Sequence, residues 1–193
     1  MGNDVRSALD DLKWKVNYGP NVLAPTNIRF SNPLFVGRKS WIGHEPLGGV
    51  GIISPWNYPL AIPAANVAQA LLAGNTVVVK PASYTPLVML KLRELATEAG
   101  IPLDVFLVVP GSGREAGDAL VNAEIDHLIF TGSVPVGREV EAKLHARGVG
   151  TTMELGGSDP AIVLEEAHFE DSVAGVTGAR VPHAGQTCAA AKG

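Results

Sequence analysis

The sequence predicts an α/β fold, a doubly wound parallel sheet covered by helices on both faces. Three observations lead there. Between Pro46 and Leu164, short runs rich in Val, Ile and Leu alternate with helix-spaced segments, the grammar of strand–helix–strand crossovers. Those runs are apolar along most of their length rather than alternating, as strands buried on both faces are. Hydrophobic residues make up 46% of the 193 positions and aromatics only 6%, so the core is aliphatic, which favours layered α/β packing.

The elements follow in order. Val5, Leu9, Leu12 and Val16 recur at helical spacing among charged residues, predicting one amphipathic helix. Tyr18 to Pro33 holds three prolines, three asparagines and one glycine, which reads as a linker or extended arm. Leu34-Phe35-Val36 and Ser40-Trp41-Ile42 flank Gly37-Arg38-Lys39, predicting a short hairpin. This first segment, 1–45, reads as an accessory element.

Strands are then expected at Val50–Ile53, Thr76–Lys80, Val105–Val109, His127–Phe130, Thr152–Leu155 and Ala161–Leu164. Helices are expected over Ile62–Leu72, around Leu92–Ala99 with Gly100 as its C-terminal stop, near Glu115–Val121, and over Val136–Ala146. Together they form a Rossmann-like domain over 46–180, with 181–193 falling outside it.

Composition narrows the function. Fifteen Lys and Arg against 19 Asp and Glu give a net charge of −4, with no basic patch for nucleic acid. The single cysteine, Cys188, excludes an internal disulfide framework and a multi-cysteine metal site, and no metal is expected. Met1-Gly2-Asn3-Asp4 lacks a signal pattern. The longest apolar stretch, Leu60–Ala73, is broken by Pro63, Asn66 and Gln69, too short to span a bilayer. The expectation is a soluble, cytoplasmic protein.

In such a sheet, ligands bind beyond the carboxyl ends of the strands, where four segments carry suggestive chemistry. Ser54-Pro55-Trp56-Asn57-Tyr58-Pro59 follows the first strand. Its Asn57 amide could serve a developing oxyanion; a packing Trp and a turn-forming Asn account for it as well. Lys80-Pro81-Ala82-Ser83 ends the second, where a Lys can donate to ribose hydroxyls. With Ser83 in the place where a carboxylate repels a 2′-phosphate, that repulsion is absent; a solvent-facing Lys is the plainer alternative. Phe130-Thr131-Gly132-Ser133-Val134-Pro135-Val136-Gly137 runs from strand into turn into helix, a place for a pyrophosphate, although the spacing is not G-x-G-x-x-G. Gly111-Ser112-Gly113 reads chiefly as a turn. Fourth, Glu154-Leu155-Gly156-Gly157 precedes Gly185-Gln186-Thr187-Cys188. A thiolate nucleophile needs its proton removed, which a carboxylate can do directly or through a water. A lone buried Cys and a surface Glu are the plainer readings. His183 is read as a loop histidine.

Taken in order, Pro46–Pro59, Lys80–Ser83, Phe130–Ser133, Glu154–Gly157 and Gly185–Cys188 resemble the aldehyde dehydrogenase superfamily, in particular its succinate-semialdehyde dehydrogenase-like members, from about Leu34 to Lys192. The resemblance implies oxidation of an aldehyde to a carboxylic acid with NADP or NAD. It implies Cys188 as nucleophile, Glu154 as base and Asn57 as oxyanion donor. It places the cofactor against Ser54, Pro55, Trp56, Lys80, Ser83, Gly113, Gly117, Gly132, Ser133, Leu155 and Gly156. Ser83, where the family usually carries an NAD-selecting glutamate, implies that NADP is accepted. His183 stands where the family commonly has Asn, Ser158 where it has Lys or Asn, and Gly193 where it has Arg. Complete members are well over twice this length and assemble as homo-oligomers. The resemblance therefore implies a cofactor-binding half, inactive alone, with 181–193 as the start of a truncated catalytic domain and a hairpin that lacks an oligomerisation strand. Two alternatives stand beside it: a dinucleotide-binding module or inert fragment without turnover, and an interaction protein that pairs through an exposed strand edge.

Overall fold

The computed structural model describes residues 2–191; Met1 and the last two positions of the third segment, Lys192 and Gly193, lie outside the described residues. A long helix, α1 (Gly2–Leu23), leads into an antiparallel ribbon of β1 (Thr26–Ile28) and β2 (Ser40–Ile42). The main sheet then takes β3 (Gly49–Ile53), β4 (Thr76–Lys80), β5 (Phe106–Val108), β6 (His127–Gly132) and β7 (Gly150–Leu155). All its pairings are parallel, in the order β5-β4-β3-β6-β7. The chain lays β3, β4 and β5 outward on one side, then returns to place β6 and β7 on the other. The expected doubly wound sheet is present, and its order reverses between β3 and β6, the position where such sheets open a ligand crevice.

Strand alternation explains the two faces. Val50, Ile52, Val77, Val79 and Ile129 pack with Val67 and Ala70 of α2 (Ala61–Leu72), Met89 of α3 (Pro86–Glu98) and Phe106. Leu128 and Phe130 point the other way, into Leu120 and Val121 of α4 (Asp118–Asn122) and Val140 and Leu144 of α5 (Val134–His145). Ile52, Val79 and Leu128 are 0% exposed, and each such side chain contributes about 1.5–3 kcal/mol by leaving water. Gly137 draws α5 onto the sheet: a Cβ there would lie 2.4 Å from Leu155 Cδ2. That contact fixes the turn before α5 next to the end of β7.

Several expectations fail at the margins. The arm from Tyr18 is helical as far as Leu23 despite Pro20, and then supplies β1. Leu34-Phe35-Val36 is not a strand: Pro33–Phe35 forms a 3₁₀ turn, capped by the Asn32 side chain accepting from the Leu34 N–H at 3.0 Å. Ser40–Ile42 pairs instead with Thr26–Ile28, so the ribbon is completed within the chain. In α1, Val5, Leu9 and Val16 remain exposed. Ala8 and Gly19 are the buried positions, because small residues let α1 approach α2; a Cβ on Gly19 would lie 2.1 Å from Leu72 Cδ2. The helix expected near Glu115–Val121 is a π turn, Gly113–Gly117, running into α4. Ala161–Leu164 forms no strand, with a single parallel bridge nearby from Asp159 to Ala191. A helix the sequence reading missed, α6 (Phe169–Arg180), follows; its composition carries little amphipathic signal, and none of its residues is buried.

Candidate active site

Beyond the carboxyl ends of β3, β6 and β7 lies a cleft of about 630 Å³. The β3–α2 loop contributes Pro55, Trp56 and Asn57, and the first turns of α2 add Ile62, Ala65 and Asn66. Thr131, Gly132 and Ser133 come from the end of β6, and Glu154, Leu155 and Gly156 from the end of β7. Gly185 through Cys188 close the remaining side. Glu154, Asn57 and Cys188, separated by up to 131 positions in the chain, therefore face one space. Cys188 and Glu154 are both exposed.

The approach to Cys188 is unusual backbone. His183 (φ 56°, ψ 33°) and Ala184 (φ 55°, ψ 33°) are left-handed, and Gly185 follows at φ 73°. The left-handed region costs a non-glycine residue on the order of 1–2 kcal/mol, so two such residues need outside support. It comes from the β3–α2 loop. Asn57 Nδ2 donates to the Gln186 carbonyl at 2.7 Å, and the Tyr58 hydroxyl lies 2.9 Å from Thr187 Oγ1. The Tyr58 ring rests on His183, centroids 5.2 Å apart. An amide NH₂ has two hydrogens, so Asn57 retains one for a ligand. Tyr58, Gln186 and Thr187 were not singled out from sequence, although each lies inside a motif that was.

Comparison with known proteins identifies the family. The model of the aldehyde dehydrogenase family matches residues 1–192. The chain belongs to that family. Among its relatives, the mitochondrial succinate-semialdehyde dehydrogenase of Arabidopsis thaliana is 40% identical over 160 residues, which cover 82% of this chain and 30% of the relative. The NAD+ complex of an aldehyde dehydrogenase from Bacillus cereus superposes with a TM-score of 0.90 at 34% identity, over 98% of this chain and 38% of that one. An NADP-dependent enzyme of E. coli superposes with a TM-score of 0.89 at 34% identity, over 98% and 39%. The chain thus spans about a third of the length of the family members it matches.

The residues present fit a dinucleotide. Thr131 Oγ1, at the cleft, is buried without a hydrogen-bond partner among the described residues, a state that natural proteins rarely leave unexplained. Ser133 precedes α5 without capping it by its side chain, so the first N–H groups of that helix are available to an anion. Gly132, Leu155 and Gly156 line the same space. A second group sits at the end of β4. Lys80 is 5% exposed and donates to the Gly111 carbonyl at 3.4 Å, an oxygen that also accepts from Ser83 Oγ at 3.1 Å. Burial pushes the Lys80 ammonium below its ordinary value. Gly117 packs beside the Lys80 stem, where a Cβ would be 3.7 Å from Cδ. Gly113 opens the π turn, and buried Ser54 bonds through its N–H to the Lys80 carbonyl at 3.2 Å. Among the described residues no cluster suits a metal, and no helix is long and apolar enough to cross a membrane.

Proposed function

We propose that the chain carries the cofactor site and nucleophile of an enzyme that oxidises an aldehyde to a carboxylic acid with NAD or NADP. The observation that carries this reading is the meeting of Cys188, Glu154 and Asn57 in the switch-point cleft of a parallel sheet. Residues 1–45 serve as an accessory and assembly element, 46–180 as the cofactor domain, and 181–193 as the start of the catalytic part. Full-length assemblies are homo-oligomers, with cytoplasmic residence and neither nucleic acid nor membrane as partner.

In this mechanism the Cys188 thiolate adds to the aldehyde carbon, and the carbonyl oxygen, as it gains charge, takes hydrogen bonds from the free Asn57 N–H and the Cys188 backbone N–H. NAD or NADP, when bound, supplies the hydride acceptor that brings this carbon to the thioester level. Glu154 then removes a proton from the water that hydrolyses the thioester. Pro55 and Trp56 wall the cofactor cleft with Ser54 buried just after β3, and Lys80 donates to the adenosine ribose beside the turn of Gly113 and Gly117. The Ser133 turn takes the pyrophosphate, with Gly132 and Gly156 allowing close approach and Leu155 packing alongside. Ser83 carries no charge to repel a 2′-phosphate, so NADP is accepted as well as NAD.

The exposure of Cys188 and Glu154 favours a second reading for these residues alone: a dinucleotide-binding module without turnover, since proximity catalysis needs an enclosed substrate. Incubation with an aldehyde and NADP, followed by mass spectrometry of the Cys188 peptide, separates the two. An acyl adduct that accumulates in Glu154→Gln supports the catalyst. Saturable NADP binding in titration calorimetry without any adduct supports the module. Neither adduct nor binding refutes both.

A further inference from the structure

Asn57 and Tyr58 are consecutive, as are Gln186 and Thr187, and the two pairs meet across 129 residues of chain, Asn57 on Gln186 and Tyr58 on Thr187. A single tether at Gln186 would let the following residues pivot about that carbonyl. The second bond, one residue further, fixes the direction in which the chain enters Cys188. The Tyr58 ring adds a third point of contact on His183, the first left-handed residue of the turn.

We propose that Tyr58 is a positioning residue for the Cys188 chemistry, holding the His183–Gly185 turn so that the thiol and the free Asn57 N–H converge on one carbonyl group. This rests on the reading of Cys188 as nucleophile. The left-handed turn is locally unfavourable for His and Ala, so without the clasp it relaxes and Gln186 moves with it. Because the Gln186 carbonyl orients the Asn57 amide, losing the Tyr58 hydroxyl misdirects the oxyanion donor without touching Asn57. The step affected needs no co-reactant. A sulfur lone pair forms the C–S bond, the carbonyl π pair moves to oxygen, and that oxygen takes the proton the thiol gave up.

The test uses the whole chain and its single thiol. Iodoacetamide should alkylate the exposed Cys188, and butanal should slow it by drawing the thiol into a thiohemiacetal; the slowing against butanal concentration gives an affinity. Tyr58→Phe and Thr187→Val should each weaken that affinity about three- to tenfold, the effect of one hydrogen bond. The double variant should be no worse than either, since both remove the same bond. Thr187→Ser, which keeps the hydroxyl, should restore the affinity. Alkylation without butanal should stay within about twofold, which separates positioning from general loosening of the segment. Full protection in Tyr58→Phe, or losses that add in the double variant, would overturn the role of Tyr58. If Asn57→Ala loses protection while Tyr58→Phe keeps it, the oxyanion reading stands and Tyr58 has no part in it. No protection in the unaltered chain would overturn the nucleophile reading and the positioning role together.

Discussion

The start of α2 is capped by the N-terminal helix, from outside the 46–180 domain. Asp4 of α1 accepts from the Leu60 N–H at 3.1 Å and the Ala61 N–H at 2.8 Å, while Leu60, the N-cap residue itself, makes no side-chain cap bond. Replacing a capping side chain with Ala costs roughly 0.5–2 kcal/mol, and a carboxylate at a helix N-terminus adds about 0.3–1 kcal/mol through the helix dipole. Asp4 provides both effects, so Asp4→Ala should destabilise the chain by about 2 kcal/mol, close to thirtyfold in the unfolding constant. For a chain of this size that lowers the thermal midpoint by roughly 4–8 °C.

Urea and thermal unfolding of Asp4→Ala and Asp4→Asn provide the assay. Asn keeps a neutral acceptor and loses the charge, so its loss should be about half. Raising the salt should narrow the gap between the unaltered chain and Asp4→Asn, because screening acts on the charge, and should leave the gap between the two neutral variants unchanged. Ile62, Ala65 and Asn66 of the same helix line the cleft, so NADP affinity should fall with the cap. An Asp4→Ala chain within about 0.5 kcal/mol of the unaltered one would refute the capping argument. Equal damage from Asn and Ala would refute its neutral part.

Three further outcomes are expected. Lys80 is held below its ordinary value by burial, so between its lowered folded value and its ordinary unfolded one the unfolded chain binds more protons, and stability rises with pH across that window. Lys80→Met should therefore stabilise the chain at pH 7, flatten the alkaline rise and weaken NADP binding, as read from urea midpoints and calorimetry. Burial also lowers His127, whose Nε2 lies 2.9 Å from Thr152 Oγ1. As pH falls through the ordinary histidine range, the unfolded chain takes up the proton first and stability declines; His127→Gln should lose less between pH 7.5 and pH 5 in the same assay. Ser83→Glu should weaken NADP about tenfold or more relative to NAD, since like charges placed together cost several kcal/mol; equal weakening of both would place Ser83 away from the ribose.

The sheet was legible because its signals are local. Thr76–Lys80 has the bounds its β-branched run predicts, and Gly100, at φ 96°, closes α3 as its position foretold. Legibility fails where a residue's state depends on a distant partner. Asp4 reads as one more charge on a surface helix, and nothing near it in sequence points to α2. Ser40–Ile42 was recognisable as a strand, but its partner lay on the N-terminal side, in a stretch whose prolines masked it. The site divides in the same way. Cys188, Glu154 and Asn57 stood out by residue type and motif, whereas the bonds that hold Asn57 and the residues before Cys188 join loops 129 residues apart.

Ala161–Leu164 makes the same point from the opposite side. Its composition is that of a strand, yet Ile162 and Leu164 are 80% and 68% exposed, and among the described residues it has no ladder beyond the bridge between Asp159 and Ala191. A strand is a relation between two segments, because its hydrogen bonds close only on a neighbour. Propensity says which segments are ready for that relation; burial says which have entered it. The same contrast separates Val77 and Val79, fully enclosed within β4, from Ile162 and Leu164, equally apolar and left in solvent. Cys188 stands with the second group: it is exposed at the cleft, so what singles it out is its motif and not its enclosure.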